Sequence, residues 1–284
     1  MTRFLAGLKN IISGTKPSFR ILTPAEQKAQ NLRLSQCIKL KQEAITEVFP
    51  NMRPVDYRKL VTTYGPDVIL FGEPHTSRKA GEEVQAALKV LKRFGFNALG
   101  FEVFSSENQP QLDAFAEGKR SGIFKTLQKR LSKNDKSVRE QMFNKYASLL
   151  NACRIFKFKP VGLTLPDKIR NKLKKEEYEQ AYEEHMASMI RRVLSRRLAA
   201  IMGTHHILPG HVPSMLDNET LTIAYAGGRN LYNFRERTFP GMEVVENIAR
   251  EEYHMGDSRI MFMGLDRKNW GTDVIIHLSQ MPDA

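Results

Sequence analysis

The chain has 284 residues, 41% of them hydrophobic, and its 44 Lys and Arg against 31 Asp and Glu give a net charge of +13. This composition is typical of a folded, soluble, basic protein and argues against collagen-like and wholly disordered classes, and no apolar run approaches the ~18 residues that would span a bilayer. Its two cysteines, Cys37 and Cys153, lie outside any CxxC or CxxCH pattern, which argues against disulfide scaffolds, cysteine zinc sites and covalent c-type haem.

The N-terminal segment has the pattern of a basic amphipathic helix. Its first 25 residues contain four basic residues and no acidic one, with apolar residues at helical spacing: Phe4, Leu5, Leu8, Ile11 and Ile12. Such a helix can dock on the body of the protein, lie on a membrane surface or act as a targeting segment. We expect a basic N-terminal helical extension over residues 1–53 and an α/β domain over residues 54–284, in a soluble or membrane-peripheral protein.

Strands and helices alternate from Pro54 onward. The pattern predicts strands over 67–71, 97–104, 159–165, 198–206 and 221–226, with a final pair over 260–265 and 273–278, and helices over 78–94 and 172–197. The first strand, helix and strand predict a parallel pair joined by a right-handed crossover. The fold class is therefore α/β, a mostly parallel central sheet with helices on both faces and a helical insertion between two motif-bearing halves.

The positive charge is concentrated in two stretches. Residues 119–139 and residues 154–175 each hold eight basic residues and one acidic residue, so the rest of the chain is close to neutral. Phe124 alone interrupts the first stretch with an aromatic ring, which argues against stacking on single-stranded nucleic acid. We expect a basic helical lid at about 119–153 or a docking surface for anionic membrane, with an ordinary solvated helical face as the alternative.

One four-residue pattern, GxxH, occurs twice, each time at the end of a predicted strand. The copies are Gly72-Glu73-Pro74-His75 and Gly203-Thr204-His205-His206. Glycine permits a sharp turn at the end of a strand, and the carboxyl edge of an open α/β sheet is where ligands bind. If the first segment stays extended, Glu73 and His75 project to the same side, which would place a carboxylate beside an imidazole.

Glu102 lies in an apolar strand, where an isolated carboxylate would be costly to bury. The crossover predicts that this strand neighbours the one ending at Glu73. Glu73, His75, Glu102 and His206 are therefore a candidate catalytic or metal-binding cluster. Each of them also has an ordinary structural explanation, such as an ion pair or a hydrogen bond to the backbone. His205 would face away from His206 in a strand and is a secondary candidate, and Arg229, after Gly227-Gly228, is a candidate anion-binding residue.

These motifs resemble the ChaN-like proteins of the Tiki/TraB/erythromycin-esterase superfamily. The resemblance covers about residues 56–216 and rests on residues 68–75, Phe101-Glu102-Val103-Phe104, Gln109, residues 159–162, residues 185–190 and the second GxxH. It implies an α/β fold whose paired motifs and glutamates line one cleft, and it adds Gln109 as a candidate ligand-binding residue. Superfamily members are described as hydrolases, either metal-dependent proteases or esterases with a histidine base, and the ChaN-like branch is associated with haem binding and iron uptake.

Three functions follow as hypotheses. The first is a hydrolase of an esterase or metal-dependent protease type, in which the Glu/His cleft activates water on a small-molecule or peptide substrate, with a divalent metal as a candidate cofactor. The second is a protein that binds haem or another anionic ligand without catalysis. The segment Leu-Ser-Gln-Cys37 lacks the apolar stretch of a lipoprotein signal, and the tyrosine haem ligand of the family has no matching motif here. The third is a peripheral module for anionic membranes.

Overall fold

The computed structural model describes residues 23–43, 52–193, 197–226, 259–265 and 267–278. Within these ranges the strands are β1 (Met52–Pro54), β2 (Val68–Glu73), β3 (Phe96–Ser105), β4 (Lys159–Thr164), β5 (Arg197–Gly203), β6 (Thr220–Ala226), β7 (Arg259–Phe262) and β8 (Val274–Leu278). The helices are α1 (Pro24–Glu43), α2 (Tyr57–Tyr64), α3 (Arg78–Leu91), α4 (Gln109–Ala116), α5 (Ile123–Leu131), α6 (Lys136–Phe156), α7 (Asp167–Arg170), α8 (Lys175–Val193) and α9 (Arg267–Trp270).

The described strands form one sheet in the order β1-β7-β8-β6-β2-β5-β3-β4. The pairs from β8 through β6, β2, β5 and β3 to β4 are all parallel. Strand β7 is antiparallel to both β1 and β8, which confirms the predicted final pair. The prediction of a mostly parallel α/β sheet is therefore also confirmed.

The sheet is buried on both faces. Along β2, Ile69 and Phe71 pack into one apolar cluster with α2, α3 and α6, whereas Val68 and Leu70 pack into a second cluster with α8. Every residue of β2 is buried, as expected for a parallel strand covered by helices on both sides. Helices thus lie on both faces, as predicted.

The predicted neighbour of β2 is wrong. Strand β5, not β3, pairs with β2 and separates it from β3. A crossover helix determines that two strands are parallel, but it leaves room for a later strand to insert between them. Strand β5 also ends earlier than predicted, at Gly203, and a 3₁₀ turn over Thr204–Ile207 follows it.

The first basic stretch forms α5 and the start of α6. Both helices contribute apolar residues to the first cluster, among them Leu127, Leu131, Leu149 and Leu150, while Lys125, Lys129 and Lys136 are exposed. Its role as a lid or docking surface stays a prediction. Residues 1–22 of the predicted N-terminal helix lie outside the described residues, and among those described no helix is both long enough and apolar enough to cross a bilayer.

Candidate active site

The two GxxH motifs meet at the carboxyl ends of adjacent parallel strands. Glu73, the last residue of β2, pairs in register with Gly203, the last residue of β5. His75 follows β2, and His206 lies in the 3₁₀ turn after β5. Because Glu102 is on β3, the next strand beyond β5, the three strands bring the four predicted residues to one edge of the sheet.

The glycines of the two motifs are explained by close packing between the motifs. A Cβ atom on Gly72 would overlap the side chain of Ile207 and lie 3.2 Å from the Cα of Thr204. A Cβ atom on Gly203 would lie 3.1 Å from His75 Nε2. Each glycine therefore provides the space into which the other motif packs, which is a steric reason for the repeated pattern.

Glu73 is a buried carboxylate that contacts Lys145, Tyr146 and His75. Its Oε2 accepts from the ammonium of Lys145, and its Oε1 accepts from the Tyr146 hydroxyl at 2.9 Å. Lys145 also donates to the His75 carbonyl at 2.5 Å. Burial alone would raise the pKa of Glu73, but the charge of Lys145 and the contact with His75 lower it overall. Glu73 is thus held as an anion inside the protein.

His75 lies between two carboxylates and is partly open to solvent. Its Nδ1 is 3.4 Å from Glu73 Oε1 and 3.4 Å from the Tyr146 hydroxyl, so the predicted pairing of carboxylate and imidazole is present. Its Nε2 is 4.0 Å from Glu102 Oε2, and 36% of the side chain is exposed. Burial lowers the pKa of His75, but Glu102 and Glu73 outweigh it and raise that pKa overall.

Glu102 bridges the two motifs. Its Oε2 accepts from the Gly203 amide at 2.6 Å, and its Oε1 accepts from the Tyr182 hydroxyl at 3.2 Å and lies 3.4 Å from His206 Nε2. Burial raises the pKa of Glu102, yet His75, His206 and the Gly203 amide hold it well below its usual range. The buried carboxylate is therefore satisfied by several donors.

His206 has a carboxylate at each ring nitrogen. Besides Glu102 at Nε2, it donates from Nδ1 to Glu183 Oε1 at 2.7 Å. Burial lowers the pKa of His206, but the two carboxylates raise it to about 9. His206 is consequently a cation at neutral pH, next to the anionic Glu102.

A second group of side chains adjoins His206 and consists of Glu179, Glu183, His205 and His211. Glu183 Oε1 also accepts from His211 Nδ1 at 2.8 Å, and His205 Nε2 donates to Glu179 Oε1 at 2.6 Å. One ligand atom from each of the four residues lies within 4.8 Å of the others. The two residues from α8 and the two from the chain after β5 form what we call the His205 cluster.

The other predicted ligand-binding residues do not join the four-residue cluster. The side-chain amide of Gln109 donates to the Pro160 carbonyl and to Asp113, and accepts from the Gly162 amide. Gln109 therefore links the start of α4 to β4. Arg229 lies outside the described residues. His205 is in the turn rather than in a strand, and it contacts Glu179 instead of facing the opposite side of the sheet.

Sequence reasoning missed Lys145, Tyr146, Tyr182 and Glu183. Lys145 and Tyr146 precede Leu149 and Leu150 by one helical turn on α6, and this spacing places them on the buried face. A Cβ atom on Gly81 of α3 would overlap Lys145, so that glycine makes room for the lysine. The available signal was a lysine on the apolar face of a helix, which indicates a buried acidic partner.

The comparisons with known proteins agree with this architecture. The model of a family described as "Haem-binding uptake, Tiki superfamily, ChaN" matches residues 62–207, just over half of the chain. No curated protein matches the chain. The structure of the type III effector HopBA1 has a TM-score of 0.53 at 11% identity, covering 81% of this chain and 98% of that one.

Two further solved structures are similar to the chain. One, described as cofacial heme binding to ChaN of Campylobacter jejuni, has a TM-score of 0.48 at 14% identity and covers 79% of this chain and 92% of that one. The other is RRSP, a MARTX toxin effector domain from Vibrio vulnificus, with a TM-score of 0.45 at 15% identity and coverages of 79% and 51%.

Proposed function

The chain belongs to the family described as haem-binding uptake, Tiki superfamily, ChaN, and we propose that it is a hydrolase whose Glu/His cleft activates water against a small-molecule or peptide substrate. The observation that carries this proposal is the position of His75. Its Nδ1 is backed by the buried Glu73, and its Nε2 belongs to a partly exposed ring next to Glu102. This is the arrangement of a positioned proton-transfer group.

In the proposed reaction His75 acts in its neutral form, whose fraction grows as the pH rises through its raised pKa. It takes a proton from water on Nε2 while the water oxygen attacks the substrate carbonyl. The resulting imidazolium returns this proton to the leaving group. Glu73 fixes the Nδ1–H tautomer and stabilises the positive charge that forms on the ring, and Lys145 and Tyr146 keep Glu73 ionised. Since both oxygens of Glu73 already have donors, we assign it this orienting role rather than that of a metal ligand.

The remaining charge in the cleft comes from Glu102 and His206. His206 carries a positive charge at neutral pH, but both of its ring nitrogens face carboxylates, Glu102 and Glu183. Glu102 holds His206 in place through Oε1 and accepts from the Gly203 amide through Oε2. We therefore assign both residues a positioning role: they hold the second GxxH motif beside His75, and the charge on His206 offsets that on Glu102.

The test is a panel of chromogenic esters and fluorogenic peptides assayed with the purified chain. His75→Ala should reduce kcat/KM by about 10²- to 10⁴-fold, the usual contribution of a general base, and Glu73→Gln should reduce it as well. His185→Ala is the matched control, because His185 binds Ser106 and lies outside the relay. Unchanged activity in both cleft variants, with melting curves like wild type, would refute the proposal.

Haem binding is a second candidate, favoured by the family and by the same histidine. His75 is the residue that would hold haem iron, since its partly exposed ring offers Nε2 and a carboxylate supports Nδ1. Tyr146 and Tyr182 fit less well, because burial and Glu102 raise the pKa values of both hydroxyls and disfavour phenolate, and Glu73 raises that of Tyr146 further. Bound haem would supply redox and ligand-binding chemistry at that nitrogen.

A titration of haem into the chain, followed at the Soret band, tests this candidate. Saturable binding at micromolar haem that is lost in His75→Ala would support it. No saturable binding, or equal binding by wild type and His75→Ala, would remove His75 as a haem ligand.

A further inference from the structure

The reaction proposed above assigns no step to Glu179, His205 or His211, and Glu183 enters it only through its contact with His206. Glu179 and Glu183 are one helical turn apart on α8, so their side chains lie on the same face. His205 comes from the turn after β5, and His211 from the segment that follows it. Residues from two separate parts of the chain thus converge on one point beside the cleft.

The geometry of the cluster is compact. His205 Nε2 is 2.6 Å from Glu179 Oε1, and His211 Nδ1 is 2.8 Å and 3.1 Å from the two oxygens of Glu183. The rings of His205 and His211 meet edge to face with centroids 4.0 Å apart. One donor atom from each of the four side chains lies within 4.8 Å of the other three.

A second observation shows that hydrogen bonds within the cluster do not satisfy it. The Nδ1 atom of His205 is buried and has no hydrogen-bond partner among the described residues. Buried polar atoms are nearly always paired, so the hydrogen bonds of the described residues leave the cluster incomplete. In addition, Glu183 Oε1 accepts from both His206 and His211, so one oxygen serves two imidazoles.

We propose that Glu179, Glu183, His205 and His211 bind a divalent transition-metal ion of the Zn²⁺ class. Two imidazoles and two carboxylates are the nitrogen and oxygen donors that Zn²⁺ takes in four-coordinate sites. Ca²⁺ and Mg²⁺ prefer sites built from oxygen alone, so the two histidines select against them. The proposal concerns a binding site and does not rest on the hydrolase activity.

The site would connect α8 to the segment that carries the second GxxH motif. Glu183 is shared between the His205 cluster and His206, and an ion held by Glu183 and His211 would tie α8 to the segment after β5. Metal binding would therefore stabilise the turn that carries the second GxxH motif, in the way that any ligand of the native state stabilises it.

Isothermal titration of Zn²⁺ into the full, chelator-treated chain tests the site. We expect one ion per chain, and we expect both Glu179→Gln and His211→Ala to weaken binding by at least about tenfold, because even outer-shell changes cost 10- to 100-fold. Glu184→Gln is the matched control, since Glu184 follows Glu183 on α8 but binds Gln180. Zn²⁺ should also raise the Tm of wild type by more than that of His211→Ala at the same Zn²⁺ concentration.

Three results would overturn the proposal. The first is no saturable binding of Zn²⁺ by wild type. The second is binding that neither Glu179→Gln nor His211→Ala weakens. The third is binding that His75→Ala abolishes and His211→Ala does not, which would place the ion in the cleft instead. Glu179 is exposed, so Glu179→Gln should fold and its Zn²⁺ affinity can be measured even if His211→Ala fails to fold.

Discussion

Replacing Lys145 with methionine tests whether the buried pair with Glu73 organises the site. The side chains of Lys145 and Glu73 are 1% and 0% exposed, and the ammonium also holds the His75 carbonyl. Removing one partner of a buried pair leaves an uncompensated charge and typically costs ~3–5 kcal/mol. We expect a loss of about that size in the free energy of unfolding near neutral pH, measured by urea denaturation.

The pH dependence gives the sharper measurement. In wild type the pKa of Glu73 is lower in the folded chain than in the unfolded chain, where it is about 4.3. The ionised side chain therefore contributes stability above about pH 4.3, and this contribution is lost as the pH falls through the lower folded pKa. In the variant, burial without Lys145 raises the folded pKa of Glu73, so the folded state takes up a proton as pH falls. The difference in stability between the two proteins should therefore shrink toward about pH 4.

Two further proteins complete the experiment. The double variant with Glu73→Gln removes the unpaired charge and should be more stable than Lys145→Met alone. Lys129→Met, at an exposed position on α5, should change stability by no more than about 0.5 kcal/mol. The role assigned to this pair would be refuted if Lys145→Met lowered the free energy of unfolding by less than about 1 kcal/mol. It would also be refuted if the loss were equal near neutral pH and near pH 4.

Three other experiments test the site and the buried core. Glu102→Gln should lower the pKa of His75, since Glu102 is the leading charge that raises it; NMR titration of the ring measures this directly, and an unchanged value contradicts the geometry. Gly72→Ala should cost about 1–3 kcal/mol by overlap with Ile207, whereas a thermal melt like that of wild type would show that the turn is not tightly packed. Burial raises the pKa of the Cys153 thiol, so labelling and peptide mapping should find it unmodified in the native chain and modified after unfolding; labelling of the native thiol would contradict its burial.

The candidate site could be predicted from the sequence to the extent that local patterns specify it. The pattern Gly72-Glu73-Pro74-His75 follows an apolar strand and places its carboxylate and imidazole together, as the extended backbone requires. Glu102 was identified because a carboxylate in so apolar a strand needs a partner. Lys145 could not be assigned to Glu73, because the helix pattern shows which face is buried but not which strand lies beneath it.

The same reasoning applies to the positions that the sequence left open. Gln109 lies in a segment that resembles the family, and its side-chain amide joins α4 to β4. Nothing in the local sequence pattern distinguishes a ligand-binding glutamine from a structural one. His211 had no motif around it, but folding brings it to Glu183. Both outcomes depend on contacts between residues far apart in the chain.

By itself, the sequence determined the α/β class, the strands that end in the two GxxH motifs, and the acidic and imidazole character of the cleft. These features depend on periodicity and on residue type, which act over a few neighbouring residues. Tertiary structure alone decided that β5 inserts between β2 and β3, and that Lys145, Tyr182 and Glu183 supply the remaining partners of the cluster. Strand order and the pairing of buried charges are decided by packing across the whole sheet, where the cost of leaving any one buried group unpaired selects the arrangement.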